Sequence, residues 1–336
     1  MNFVKDFYLS TKIFLFIFLP TCILLPIRSN EILRYLPEIK NGNINILNEI
    51  YCSKPIEFWL ILNLLPNFIR ENIIYLRIST SIFSIFILYL IFLLFNEKEN
   101  KLIRKNRQLF LILSPLSIIT FSHFTLDAFI TVLLLFSLSL YLKYLIKNDN
   151  KYYFASLIIL ILTFYLKGPL YPLCFYIINI IFINKIFKKS FFYRNTLLKI
   201  ILVNIILIIY QFQFGSECFS KEIILSEFIK RFISYDQNIY FFSHRIKFII
   251  LLIIQLFYIK IFLNKNNFFR NYLMLFSREN YFSGNINIYI KYYLISILIF
   301  LIILPGFQLQ YSYPFLMFYS FLEYINYYSF NLIKYR

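Results

Sequence analysis

The chain has 336 residues, of which 60% are hydrophobic and 15% are charged, and its formal net charge is +18. Apolar stretches close to the roughly 20 residues that a helix needs to cross a bilayer exclude a soluble protein built on one core. These stretches are too long and continuous for barrel strands, so we expect spanning helices. The basic residues are divided among short loops, a pattern that indicates membrane orientation and not nucleic-acid binding.

The first apolar segment covers residues 11–27 and follows Lys5 and Lys12. No small-residue cleavage site follows it, so we interpret it as a retained signal anchor. Further spans are predicted at 74–95, 108–123, 125–145, 152–167, 169–184, 196–213, 246–263, 292–306 and 314–331. The sequence therefore predicts an all-α transmembrane bundle of about ten helices, in one domain that covers the whole chain.

Loop charge assigns a side to each loop. Loop 96–107 has five basic and two acidic residues, segment 143–151 has a net charge of +2, and segment 185–199 has a net charge of +5. The positive-inside rule places these three in the cytoplasm. Loops 28–73 and 214–244 are balanced or slightly acidic, so we expect them outside, with both termini cytoplasmic. This pattern predicts a multi-pass protein of the bacterial inner membrane.

The first outer loop is too apolar for a free linker. Its apolar residues include Ile56, Phe58, Trp59, Leu60 and Leu64. We expect this stretch to lie in the membrane interface, with the tryptophan at headgroup depth.

Asp127 stands at the outer start of the predicted span 125–145, just after His123 and Thr125. Ionisable groups at membrane depth are costly and are usually functional. The structural alternative is an N-cap, because an acid at a helix start is stabilised by the backbone amides and the dipole. The sequence leaves both interpretations open.

Lys167 precedes a Gly-Pro pair that joins two predicted spans. The pair favours a hairpin, whereas a lysine on the outer side runs against the usual charge bias. One interpretation is a lysine that extends to the headgroups. The other is a phosphate ligand, and the motif alone does not separate them.

The other polar candidates lie in two outer segments. The first loop contains Glu31, Arg34 and Tyr35, followed further on by Lys54. A late hairpin contains Gln310 and Tyr311 before a proline. Taken singly, these residues are also explained as juxtamembrane charges and an interfacial turn.

The order of these segments resembles the integral-membrane glycosyltransferases of the GT-C class, in particular the family of lipid A aminoarabinose transferases and protein O-mannosyltransferases. The family elements are acid-x-x-Arg-Tyr, Lys-Pro-Pro-x-x-x-Trp, an Arg-x-Pro-Ser-like helix start, an Asp before the fourth span, Lys-Gly-Pro and Tyr-x-x-Pro. Their counterparts here are 31–35, 54–59, 77–80, Asp127, 167–169 and 311–314. The chain departs from the family where Glu31 replaces an Asp and Ile56 replaces the second Pro.

The resemblance implies inverting transfer of a sugar from a polyprenyl-phosphate donor to a lipid or glycan hydroxyl. Glu31 would take the acceptor's proton as general base, and Asp127 would orient the acceptor or share that role. Basic side chains would stabilise the leaving phosphate. The implied substrate-binding residues are Arg34, Tyr35, Lys54, Lys167, Gln310 and Tyr311.

The sequence contains no evident metal-ligand cluster, and a carboxylate pair does not decide whether a divalent cation is required. Two alternatives to a transferase stay open: a transporter or flippase for a lipid-linked substrate, and a catalytically inactive membrane relative. Transporters typically place charges and broken helices near the middle of the membrane. The polar candidates here gather at one edge of the predicted spans, which favours a transferase.

Overall fold

The computed structural model describes residues 11–26, 64–94, 109–147, 149–167, 170–187, 201–202, 205, 238–263, 291–295, 297 and 312–334. Across these ranges the chain is helical apart from short turns, and they contain no β-strand. The predicted all-α class is therefore confirmed for the described part of the chain.

The helices, numbered in chain order, are α1 Thr11–Leu24, α2 Asn67–Arg70, α3 Ile73–Leu94, α4 Pro115–Phe121, α5 Leu126–Lys147, α6 Asn150–Lys167, α7 Leu170–Phe187, α8 Asn238–Leu263 and α9 Tyr313–Lys334. Most coincide with predicted apolar spans to within a few residues. The first of them contains one π-helical turn, Phe14–Phe18, before it returns to α geometry at Leu19–Leu24.

The predicted continuous span 108–123 is wrong. Helical residues 109–112 are followed by a turn and by the separate short helix α4. The Ser114 hydroxyl caps this helix by accepting a hydrogen bond from the Ser117 N–H at 3.1 Å, and Pro115 suits the first helical turn because it has no N–H to satisfy. A helix of 7 residues rises only about 10 Å, against a hydrocarbon core of about 30 Å.

Two described helices are long and apolar enough to cross a membrane, Ile73–Leu94 and Leu126–Leu145. The second forms most of α5, which is the more deeply buried of the two. It packs against α3, α6, α7 and α9. A helix that is apolar on all sides and covered by neighbours is the central member of a bundle.

Hydroxyl groups hold the middle of the bundle together. Ser156 of α6 donates to the backbone oxygen of Ser137 in α5 at 2.9 Å, and its hydroxyl also lies 3.2 Å from that of Tyr176 in α7. Small hydroxyl residues allow apolar helices to approach closely and to bond across their interface. These contacts fix three consecutive helices side by side.

Gln255 of α8 plays a similar role on the other side of the bundle. Its amide donates to the Ser320 hydroxyl of α9 at 2.9 Å, and its carbonyl oxygen accepts from the Leu116 N–H of α4 at 3.4 Å. The side chain is 1% exposed. Because a buried amide needs its hydrogen bonds satisfied, this residue ties α8 to both α4 and α9.

Candidate functional site

The described ranges include two of the residues predicted for the site. Asp127 lies in the first turn of α5, and the backbone of Lys167 ends α6. The next helix begins at Leu170, so a helix ends and another begins where the Lys-Gly-Pro element predicted a break. The predicted site residues that lie outside the described ranges are Glu31, Arg34, Tyr35, Lys54, Gln310 and Tyr311.

Asp127 is not the N-cap of its helix. The capping contact belongs to Thr125, whose hydroxyl accepts from the Ala128 N–H at 3.3 Å while its backbone oxygen accepts from the same group at 3.1 Å. The Asp127 side chain is half-buried between the buried Leu126 and Ala128. Its carboxylate lies within the first turn, where the helix dipole stabilises negative charge.

The start of α5 lies inside the bundle. The ring of Phe129, two residues after Asp127, contacts the ring of Phe83 in α3 with the centroids 5.3 Å apart. Phe83 follows Ile73, the first residue of α3, by about 15 Å along the helix axis. The contact therefore places the start of α5 beside the middle of α3.

Arg77 of α3 caps the end of α1. The side chain is 1% exposed, and its guanidinium donates to the backbone oxygens of Cys22 at 3.0 Å, Leu25 at 2.9 Å and Pro26 at 3.0 Å. The last carbonyls of a helix lack partners within it and carry partial negative charge. The arginine of the Arg-x-Ser-Thr element thus fixes the point where α1 ends and the first loop begins.

Hydroxyl contacts extend this capping arrangement to the chain just before Asp127. Thr21 and Ser122 bring their hydroxyl oxygens to 2.7 Å. The Ser81 hydroxyl lies 3.2 Å from the Cys22 sulfur and donates to the Phe121 backbone oxygen at 2.6 Å. We refer to Thr21, Cys22, Arg77, Ser81 and Ser122 as the polar junction.

The polar junction joins three segments that are distant in sequence: the end of α1, the first half of α3, and the turn between α4 and α5. His123, which follows the junction, is also buried at 4% exposure.

Within the ranges that the structure describes, no three His, Cys, Asp or Glu side chains group together as a metal site.

Arg245 is a candidate that the sequence analysis missed. It lies on the face of α8 that also carries the buried Phe248, Leu252 and Gln255, because residues three, seven and ten positions apart share a helix face. Its Nε atom is buried and has no hydrogen-bond partner among the described residues. An unsatisfied buried guanidinium donor marks a place for a ligand or water. The sequence feature that could have identified Arg245 is its position directly before the predicted span 246–263.

Glu323 of α9 was also missed. Tyr319, one turn earlier, donates its hydroxyl to the Glu323 carboxylate at 2.7 Å, and the positive charge of Lys291 attracts this carboxylate. The sequence signal was a single acid inside the apolar stretch 314–331. Carboxylates at such positions are usually functional.

Comparisons with protein-family models, with curated proteins and with solved structures find no match to this chain. The class that the described residues define is a helical protein with two helices long and apolar enough to cross a membrane.

Proposed function

We propose that the protein is a multi-pass membrane glycosyltransferase that moves a sugar from a polyprenyl-phosphate donor to a hydroxyl of a lipid or glycan. The observation that carries the proposal is the polar junction. It places the end of α1, which leads into the first loop, against Ser122, which lies shortly before Asp127. The ordered family elements in the sequence support the same activity.

Chain length makes the junction relevant to both proposed carboxylates. Glu31 follows Pro26 by five residues, and a fully extended chain of that length spans at most about 18 Å. Asp127 follows Ser122 by the same number of residues. Arg77 holds the Pro26 backbone, so the chain segments that lead to Glu31 and to Asp127 both begin at the polar junction. A shared site requires this proximity.

In the proposed reaction the acceptor oxygen forms a bond to the anomeric carbon while the bond from that carbon to the phosphate oxygen breaks. Glu31 receives the acceptor's proton, and the electron pair leaves with the polyprenyl phosphate. Asp127 orients the acceptor or shares the role of base, and both roles use its negative charge. The half-buried position of Asp127 supports both roles, because hydrogen bonds to a carboxylate strengthen where water is excluded.

Positive charge at the leaving phosphate is assigned to Arg34, Lys54 and Lys167, together with Arg245. A guanidinium offers paired donors with the geometry of a phosphate. The Arg245 Nε, which has no hydrogen-bond partner within the described part of the chain, supports its inclusion, since a fixed donor stabilises the charge that develops as the phosphate departs.

Transport or flipping of a lipid-linked substrate is the second candidate function. The helix break before α4 and the carboxylate of Glu323 within α9 favour it. Both are features that transporters place near the membrane midplane.

The deciding experiment uses the full chain purified into nanodiscs and a panel of radiolabelled polyprenyl-phosphate sugars, with release of polyprenyl phosphate as the signal. We expect turnover by the wild type, its loss in Asp127→Asn, and its retention in Asp149→Asn, a matched acid-to-amide control. A chain that releases no polyprenyl phosphate but moves the lipid-linked sugar between leaflets would overturn the transferase proposal in favour of transport.

A further inference from the structure

Large apolar side chains are exposed in a continuous row along α2 and α3. We refer to this row as the apolar ridge, and it consists of Leu64, Phe68, Tyr75, Ile82 and Phe86. Exposure falls from 83% at Leu64 to 50% at Phe86. Contiguous exposed apolar surface of this kind marks an interaction site.

Helix geometry makes the ridge continuous. Tyr75, Ile82 and Phe86 fall within about 40° of one another around the axis of α3. At the turn before that helix, the ring of Phe68 meets the ring of Tyr75 edge to face with the centroids 6.3 Å apart. The ridge therefore passes from α2 onto α3 without a gap.

The length of α3 matches a bilayer. Its 22 residues rise about 33 Å, and the hydrocarbon core is about 30 Å thick. Tyr75 and Phe86 are separated by about 16 Å along this axis, half of that thickness. Ser79 lies on the same side and donates its hydroxyl to the Leu76 backbone oxygen at 2.8 Å, so its polar group is satisfied within the helix and is compatible with hydrocarbon.

Apart from Ser79, the polar groups beside the ridge described next lie at its α2 end. Arg70 donates to the Asn67 side chain, and Asn72 accepts from the Ile74 N–H at 2.9 Å. Glu71 and Asn72 are exposed. Aromatic, basic and amide side chains that alternate beside an apolar surface are typical of the boundary between headgroups and acyl chains.

We propose that the apolar ridge is a lipid-docking surface that sets the depth of α2 in one leaflet. Phe68 and Leu64 insert just below the headgroups, the Arg70 guanidinium lies level with the lipid phosphates, and Phe86 reaches the middle of the bilayer. The occupant is a phospholipid leaflet because the ridge continues onto a helix long enough to cross a membrane, and because the cation Arg70 lies at the α2 end of the ridge, where it can pair with lipid phosphates. This inference does not depend on glycosyl transfer.

The test measures depth with tryptophan. The chain contains a single tryptophan, so a Trp59→Phe background accepts one new tryptophan at a time: Phe68→Trp, Phe86→Trp, or the control Phe92→Trp, whose side chain is 1% exposed inside the bundle. Each full-length variant is reconstituted in phosphatidylcholine vesicles brominated either near the glycerol end or near the methyl end of the acyl chains.

We expect Phe68→Trp to be quenched at least about twofold more by the shallow bromine, Phe86→Trp to show the reverse preference, and Phe92→Trp to respond to neither. If Phe68→Trp does not fold, Tyr75→Trp reports on the same depth. Quenching of the Phe68 or Tyr75 variant by aqueous iodide and by neither lipid would show that the ridge faces water. Protection from iodide and from both lipids would assign the ridge to a protein contact. Either result overturns the proposal.

Discussion

Arg77 donates a hydrogen bond at 3.0 Å to the backbone oxygen of Cys22, a residue 55 positions earlier in the chain. A side chain of one apolar helix thereby satisfies the end of another. Buried charge is costly unless it is surrounded by matching polar groups, and the carbonyls at a helix C-terminus supply such groups without a carboxylate. This contact links α1 to α3.

Arg77→Met should therefore destabilise the protein by about 3 kcal/mol, because the carbonyls that it caps lose charged donors and stay buried. The measurement is the free energy of unfolding in detergent, with Lys247→Met, an exposed cation on α8, as the control. Arg77→Lys should restore part of the loss because it keeps the charge but not the forked donors. Equal unfolding of Arg77→Met and wild type would refute the capping role.

The hydroxyl pair of the polar junction predicts a measurable coupling. Thr21 also donates to the Phe18 backbone oxygen at 2.9 Å, and either hydroxyl can be the donor in the contact between Thr21 and Ser122. Thr21→Val and Ser122→Ala should couple by about 1 kcal/mol in a double-mutant cycle of unfolding free energies. Thr21→Val combined with the distant Ser137→Ala should be additive. Additivity in both cycles would show that the contact between Thr21 and Ser122 does not contribute to stability.

Arg245→Gln tests the phosphate role given to α8. Because the Arg245 Nε has no partner to lose among the described residues, the unfolding temperature should stay unchanged. The KM for the polyprenyl-phosphate sugar should rise about tenfold, as expected when one charge-assisted contact to phosphate is lost. Lys247→Gln, two residues along the same helix and exposed, should leave this KM unaltered. A similar rise in both variants would indicate general loss of positive charge.

Glu323→Gln separates the two candidate functions. The amide oxygen still accepts from the Tyr319 hydroxyl, so the helix should fold, but the negative charge near Lys291 is removed. A transferase whose chemistry is carried by Glu31 and Asp127 should keep its kcat in this variant. Transport that depends on a carboxylate within the membrane should lose most of its rate, which movement of lipid-linked sugar in vesicles would measure.

Asp149, between α5 and α6, predicts a pH dependence. The hydrogen bond from the Lys151 side chain, followed by the Lys151 backbone N–H and nearby positive charge, holds the pKa of Asp149 below its ordinary value of 3.8. A lowered pKa stabilises the folded state at pH values above the unfolded-state pKa. This contribution to stability disappears as the pH falls through the folded-state pKa. The difference in unfolding temperature between wild type and Asp149→Asn should therefore be small but present at neutral pH. It should vanish when the pH is lowered well below 3.8.

Local sequence patterns predicted most of the described helices because continuous apolar stretches and charged loops determine where membrane helices begin and end. Hydropathy failed at 108–123, a mainly apolar segment in which Ser114 and Pro115 start a new helix through capping geometry. The placement of the start of α5 beside the middle of α3 was also not predictable from the sequence, since it depends on how the two helices pack. The capping role of Arg77 depends on partners more than 50 positions away, and no local pattern contains that information.

The π-helical turn Phe14–Phe18 should allow α1 to lose one residue without a change in the rest of the helix. A π turn accommodates one residue more than an α turn without disturbing the helix on either side. Removing one residue there, such as Leu15, would convert the turn to ordinary α geometry. Thr21 and Cys22 would keep their orientation toward Ser122 and Ser81. A deletion in the unbroken helix α3 would instead rotate Arg77 away from its carbonyls. We therefore expect α1 to shorten by one residue at this turn without losing its attachment.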